Sequence, residues 1–122
     1  MRTIHRTGVI LILLLLSSGS AWAGFYEGFE YFEAGKYEQA LEEFMPLAEE
    51  GNAFAQLYLG IMYDKGYGVP RDSRKAVKWW QMSAEQGGAV AQYNLGDMYA
   101  QGRGVPVNER EAVKMYRMAA NS

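Results

Sequence analysis

LYLGIMYDKGYGVPRDSRKAVKWWQM, from Leu57 to Met82, returns as YNLGDMYAQGRGVPVNEREAVKMYRM, from Tyr93 to Met118. At a fixed offset of 36 residues Leu59-Gly60 meets Leu95-Gly96, Met62-Tyr63 meets Met98-Tyr99, and Gly68-Val69-Pro70 meets Gly104-Val105-Pro106. Ala76-Val77-Lys78 likewise meets Ala112-Val113-Lys114. A period of this length marks one supersecondary unit that cannot bury its apolar face alone and stacks on its neighbours. Chains built this way usually bind other molecules and seldom catalyse.

Within each copy two helices are expected. In helix A of the first copy, Ala55, Leu59, Met62 and Tyr63 recur at helical spacing, and Gly60 lets the partner helix come close because it lacks a side chain. Helix B offers Ala76, Trp79, Trp80, Met82 and Ala84 as bulk against those small residues. The Val-Pro turn ends at Asp72 or Ser73 in one copy and at Asn108 in the other, all good N-cap residues. Asn108 with Glu111 has the spacing of a capping box. Gly66-x-Gly68 and Gly102-x-Gly104 read as turns of positive φ. A phosphate-binding loop would follow a strand, whereas a helix precedes both of these.

A shorter unit comes first. Ala40, Phe44 and Ala48 stand 36 residues before Ala76, Trp80 and Ala84, but nothing in this unit corresponds to the GYGVP loop. Gly28, Tyr31, Ala40, Phe44 and Leu47 are spaced like the tetratricopeptide signature, an antiparallel helix pair. Pro46, read as lying early in the second helix, is expected to strain or kink it.

The Leu-Gly-x-Met-Tyr, Gly-x-Gly-Val-Pro and Lys-Ala-Val-x-x-Trp motifs over about residues 51–122 resemble the Sel-one-like repeat, a longer relative of the tetratricopeptide repeat. The resemblance implies an all-α fold, an α/α superhelical solenoid of three helix-pair repeats, one tetratricopeptide-like and two Sel-one-like; the signal peptide before it is read from the leader residues themselves. The units would run about 24–50, 51–86 and 87–122. It also implies protein–protein contact, commonly in envelope or signalling complexes.

The leader is read from Arg2 and Arg6, the apolar run Val9 to Leu16, and Ala21-Trp22-Ala23 before a cleavage point. Residues 1–23 would leave and the repeat domain 24–122 would remain, periplasmic or secreted and without a stable membrane span. An uncleaved anchor is the competing reading, but Thr7 to Ala23 is short for a span of about 20 apolar residues. Cleavage removes Arg2, Arg6 and the single histidine, His5. Ten basic residues then face fourteen acidic ones, a formal charge of −4, with no cysteine and no histidine. That composition removes Cys-His and Ser-His-Asp nucleophiles, nearly every zinc or copper site, and any disulfide.

Other chemistry finds little purchase, so no catalytic residue, cofactor or metal is expected. Ser73 and Ser83 lack the S-x-x-K spacing, having Ala76 and Gln86 three residues on. Secreted relatives of the resembled family linked to β-lactam or cell-wall chemistry are cysteine-rich, unlike this chain, so a hydrolase is the weaker alternative. A small-ligand carrier is a third. Glu42-Glu43 and Glu49-Glu50 are helix neighbours about 100° apart, a solvated face and not an acid/base pair. Arg71, Arg74, Lys75 and Lys78 are too short a cluster, in an acidic chain, for nucleic acid.

Carrying the tetratricopeptide alignment over puts groove positions at Phe25, Phe29, Phe32 and Glu33, at Phe54, Leu57, Ile61 and Asp64, and at Val90, Tyr93, Asp97 and Ala100. This apolar, aromatic stripe edged with acid suits a protein or peptide with apolar anchors and a basic flank. Any of these positions can equally be core. Residues 24–50 carry eight acidic residues against Lys36, and residues 51–122 carry nine basic against six acidic. That polarity, with Val113, Tyr116, Met118 and Ala119 on a last helix expected to be uncovered, also suits head-to-tail self-association. Amino-terminal sequencing of the exported protein is expected to begin at Gly24; a product that retains Met1 would make the leader an anchor.

Overall fold

The computed structural model describes residues 22–122, so the leader, apart from Trp22 and Ala23, lies outside the described residues. Six helices follow one another. The first, α1, covers residues 22–33, and a short turn leads to α2 (Tyr37–Glu49). Then come α3 (Ala53–Lys65), α4 (Ser73–Glu85), α5 (Ala89–Gln101) and α6 (Glu109–Ala120). Each odd helix is an A helix and each even one the B helix of the same pair. Helix α3 packs on α4 and α5 on α6 within pairs, while α2 on α3 and α4 on α5 join successive pairs. The result is the expected α solenoid of helix pairs.

Close approach within a pair depends on one glycine. A Cβ on Gly60 would meet the Trp80 indole, one on Gly28 the Phe44 ring, and one on Gly96 the Tyr116 ring, all well inside van der Waals contact. The Trp80 indole N–H also donates to the Leu57 carbonyl at 3.1 Å, and the Ser83 hydroxyl to the Ala53 carbonyl at 2.9 Å. These glycines align the three A helices. Gly28 therefore matches Gly60 at an offset of 32, four less than the repeat period, because the α1–α2 turn is shorter than the loops that follow α3 and α5.

Successive pairs join through a second row on helix A. Ala55, Leu59 and Met62 are fully buried with Ala40, Phe44 and Ala48 of α2, and Ala91, Leu95 and Met98 pack likewise with Val77, Trp80 and Ala84 of α4. Burying each Leu or Met stabilises by roughly 1.5–3 kcal/mol. Gln56 and Gln92 are also buried in these junctions, and their side-chain amides donate to the carbonyls of Ala48 (3.1 Å) and Ala84 (3.2 Å) near the end of the preceding helix B. Hydrogen-bonded in this way, they carry little of the usual cost of a buried polar group.

The loops behave as their glycines require. Gly66 and Gly102 end α3 and α5 in the left-handed region, and Gly68 and Gly104 are left-handed too, at φ 73° and 70°. A Cβ on Gly68 would meet the backbone of Tyr37, and one on Gly104 the Ser73 carbonyl, so each loop rests on the start of the preceding helix B. Asp72, not Ser73, caps α4, accepting from the Lys75 amide at 3.1 Å. Asn52 caps α3 in the same manner.

Three sequence expectations need correcting. Asn108 accepts from the Glu111 amide at 3.1 Å, but its own N–H donates to the Tyr99 carbonyl at 2.9 Å, leaving no donor for Glu111 to answer; this is half a capping box. Asp72 N–H does the same with Tyr63, also at 2.9 Å. Pro46 falls in the last turns of α2, not early, and the helix continues through it to Glu49. The carbonyl its ring leaves without a helical donor is that of Glu42, an exposed residue. Met82 lies 37% exposed on the outer side of α4 and Trp79 is only half-buried, so Trp80, with Ala76, Val77 and Ala84, fills the interior.

Gly60→Ala is expected to cost about 1–3 kcal/mol through overpacking against Trp80. Thermal unfolding followed by circular dichroism measures it, and an unchanged melting temperature would show that the indole can move aside.

Candidate functional site

The candidate positions on the A helices divide between packing and open surface. Phe25, Phe29 and Phe32 belong to an aromatic cluster between the first two pairs. Phe25 lies 5.7 Å from Phe54 and 6.2 Å from Tyr58 by ring centroid, and Phe32 lies edge-on to Tyr58 at 5.0 Å. These rings are half-buried against the α2–α3 core; Phe54, by contrast, is 55% exposed. Such edge-to-face pairs add about 0.5–1.5 kcal/mol each beyond burial, so much of this cluster holds the first two pairs together.

Ile61, Asp64, Val90 and Asp97 come together in a hollow of about 350 Å³ between α3 and α5, with Asn94 and Arg103. Arg103 reaches in from the α5–α6 loop and pairs with Asp64, whose side chain is nearly buried while that of Arg103 is a third exposed. The acidic edge expected at Asp64 is therefore neutralised from within the chain. Asp97 accepts a short hydrogen bond, 2.5 Å, from the Tyr116 hydroxyl. The hollow thus has buried apolar lining in Trp80 and Met98, with Ile61 and Val90 beside it, and a polar edge of Lys65, Asn94, Asp97 and the Asp64–Arg103 pair.

Val90 is shared with a second, more open hollow of about 640 Å³, where Ala89, Val90 and Tyr93 face Tyr116, Ala119 and Ala120. Val90 and Tyr93 are 55% and 54% exposed. Leu57 instead packs half-buried against the α4–α5 core, and Glu33 and Ala100 are simply exposed. The glycine alignment puts Glu33 level with Lys65 and Gln101, and makes Trp22 the counterpart of Phe54 and Val90.

Arg103, Asn94 and Trp22 were not singled out by sequence. For Arg103 a signal existed. The middle residue of Gly-x-Gly is Tyr67 in one copy and Arg103 in the other, and the residues they touch on the preceding helix A, Phe32 and Asp64, differ to match. Tyr67 also stacks on Tyr37 at 4.4 Å. Trp22 falls within the leader as the sequence reads it.

Two tyrosines have displaced proton affinities. The Tyr116 hydroxyl is pushed up to about 12, first by its hydrogen bond to Asp97, then by burial and by the charge on Asp97. Tyr58 is raised by burial and by the negative charge of Glu33. No group of three or more His, Cys, Asp or Glu side chains with metal-binding geometry occurs among the described residues, nor a helix long and apolar enough to cross a membrane.

The Sel1 repeat pattern matches residues 53–88 and 89–122. Among solved structures, the chain is similar to a Sel1 repeat protein from Oxalobacter formigenes (44% identity, TM-score 0.76), over 80% of this chain and 40% of that one. It is also similar to c5321, a protective antigen present in uropathogenic Escherichia coli strains that displays an SLR fold (38%, TM-score 0.80), over 91% of this chain and 25% of that one. Helicobacter pylori cysteine rich protein B follows at 25% identity and TM-score 0.65, covering 68% and 62%. The chain therefore spans less than two thirds of each of these relatives.

Because the raised Tyr116 value favours the protonated form, its contribution to stability is complete below about pH 10 and is lost as pH rises towards about 12. Tyr116→Phe is expected to remove the highest-pH phenolate step from an absorbance titration at 295 nm and to flatten the alkaline fall in melting temperature. A titration identical to that of the unmodified protein would place the hydroxyl in water.

Proposed function

The chain belongs to the Sel1 repeat family, whose repeats serve protein–protein contact, and from that premise we propose a non-catalytic interaction module of the bacterial envelope that holds a partner on its helix-A face. The observation that carries this reading is the α3–α5 hollow. Its lining combines buried Trp80 and Met98 with Ile61 and half-exposed Val90, its edge offers the Lys65, Asn94 and Asp97 side chains, and through Val90 it adjoins the open hollow that holds half-exposed Tyr93. Apolar anchors in a partly desolvated groove supply most of the affinity of a peptide, and rim polar groups fix its register.

The partner is a protein or peptide with at least one apolar anchor. A basic flank would find its complement in the first unit, where eight acidic residues face Lys36 alone, more than at the Asp64 rim, where Arg103 already neutralises the carboxylate. The envelope assignment rests on the basic and apolar leader pattern.

A photo-crosslinking residue at Asn94, with a control at Glu42 on the exposed side of α2, tests the site in cells expressing the protein. A discrete adduct at position 94 alone, abolished by Val90→Asp while circular dichroism is unchanged, is the expected result. Equal capture at both positions, or no adduct at position 94, would remove the groove as the site.

A further inference from the structure

The row of helix A that joins one pair to the next is chemically different in α1. Aligned on their glycines, Glu27 and Glu30 of α1 occupy the places of Leu59 and Met62 in α3 and of Leu95 and Met98 in α5. The four apolar residues are buried against the preceding helix B, whereas Glu27 and Glu30 are exposed. An A helix with carboxylates on its stacking row disfavours an apolar B helix and favours a basic one.

Such a helix B exists in the same chain. The stripe that receives the next pair is Leu41, Met45 and Ala48 on α2, and Val77 and Ala84 on α4, where Gln81, in the place of Met45, stays exposed at its edge; the same places on α6 are Val113, Arg117 and Ala120. Val77 and Ala84 are 4% and 6% exposed beneath α5, but Val113 is 46% exposed and Ala120 is also exposed. Arg117 takes the exposed edge position that Gln81 holds on α4, and Arg110 and Lys114 flank it.

We propose that the stripe Val113, Arg117 and Ala120 of one copy docks on the Glu27–Glu30 row of a second copy, so that copies associate head to tail. The contact repeats the stacking of the α2–α3 and α4–α5 junctions, with charge pairs from Arg117 and its basic neighbours at the edge of the row. Because it joins two different surfaces it is heterologous, and without a closing rotation it builds open chains. This surface is separate from the α3–α5 hollow, so either can fail without the other.

The test is sedimentation of the purified full-length protein at low salt. The weight-average mass is expected to rise with protein concentration and to fall back towards the monomer at about 0.5 M salt, where charges screen within a few ångströms. Arg117→Glu and the double variant Glu27→Lys with Glu30→Lys change only exposed side chains, and each is expected to weaken association by more than about tenfold with an unchanged melting temperature. Mixed one to one, the two variants are expected to associate again, because each restores the charge its partner lost. That rescue also separates docking from unspecific aggregation through the apolar leader, which neither substitution touches. A mass that stays monomeric at every concentration, or association that neither variant alters, would overturn the proposal.

Discussion

Gly60, Gly28 and Gly96 let a ring from helix B lie directly against the backbone of helix A, and the rest of the solenoid is arranged around that contact. The ring differs in each pair: Phe44, Trp80, Tyr116. Because the glycine brings the axes close, the remaining inner positions of helix B must be small, and Ala40, Ala48, Ala76, Ala84 and Ala112 meet that requirement. Once a pair is clamped at this spacing, its outer rows are fixed in direction. One row meets the preceding helix B and another faces the open side. A methyl group at Gly60 therefore acts on more than one contact, since it changes the spacing from which both rows project.

Junctions between pairs share their apolar row but differ at the loop. Tyr67 rests on Phe32 and Tyr37 where the second pair meets the first, and Arg103 pairs with Asp64 where the third meets the second. The first contact is aromatic and insensitive to salt. The second buries one carboxylate almost completely, so its value depends on keeping Arg103 in place: removing one partner leaves an uncompensated charge, which costs more than the pair contributes. Matching each loop residue to the helix it touches gives each junction its own complementarity.

Much of the fold was legible in the sequence because a 36-residue repeat states the same constraint twice. Leu59 and Leu95, Gly60 and Gly96, and the two Gly-x-Gly-Val-Pro loops were read correctly from their recurrence and helical spacing. Errors arose where recurrence carried no information. Pro46 has no counterpart in the other units, so its place in the helix could not be checked by alignment. Met82 is apolar in both copies, as Met118, and recurrence does not say which side of a helix is buried. The capping box failed because sequence cannot show that the Asn108 N–H is already bonded across the loop to Tyr99. The hollow between α3 and α5 was partly visible through Ile61, Asp64, Val90 and Asp97. Arg103 escaped because it reaches in from a loop, 39 residues along the chain from Asp64.

The division of helix A into rows also explains why the first unit departs so far from the repeat without losing the fold. Tyr31, Gly28 and the Phe44 ring keep the clamp, and Phe25, Phe29 and Phe32 keep the contact with α3, so those rows are as apolar as in the other units. On the remaining row Glu27 and Glu30 are exposed, so they cost nothing in burial. Charge has accumulated where packing leaves the sequence free. The same logic holds on the open side of α3 and α5, where Asn94 and Asp97 stand beside Ile61 and Val90. Polar residues on those positions do not disturb the stack, because Leu95 and Met98, on the other side of the same helix, carry it. Partner choice can then change at one row while the solenoid is maintained by another.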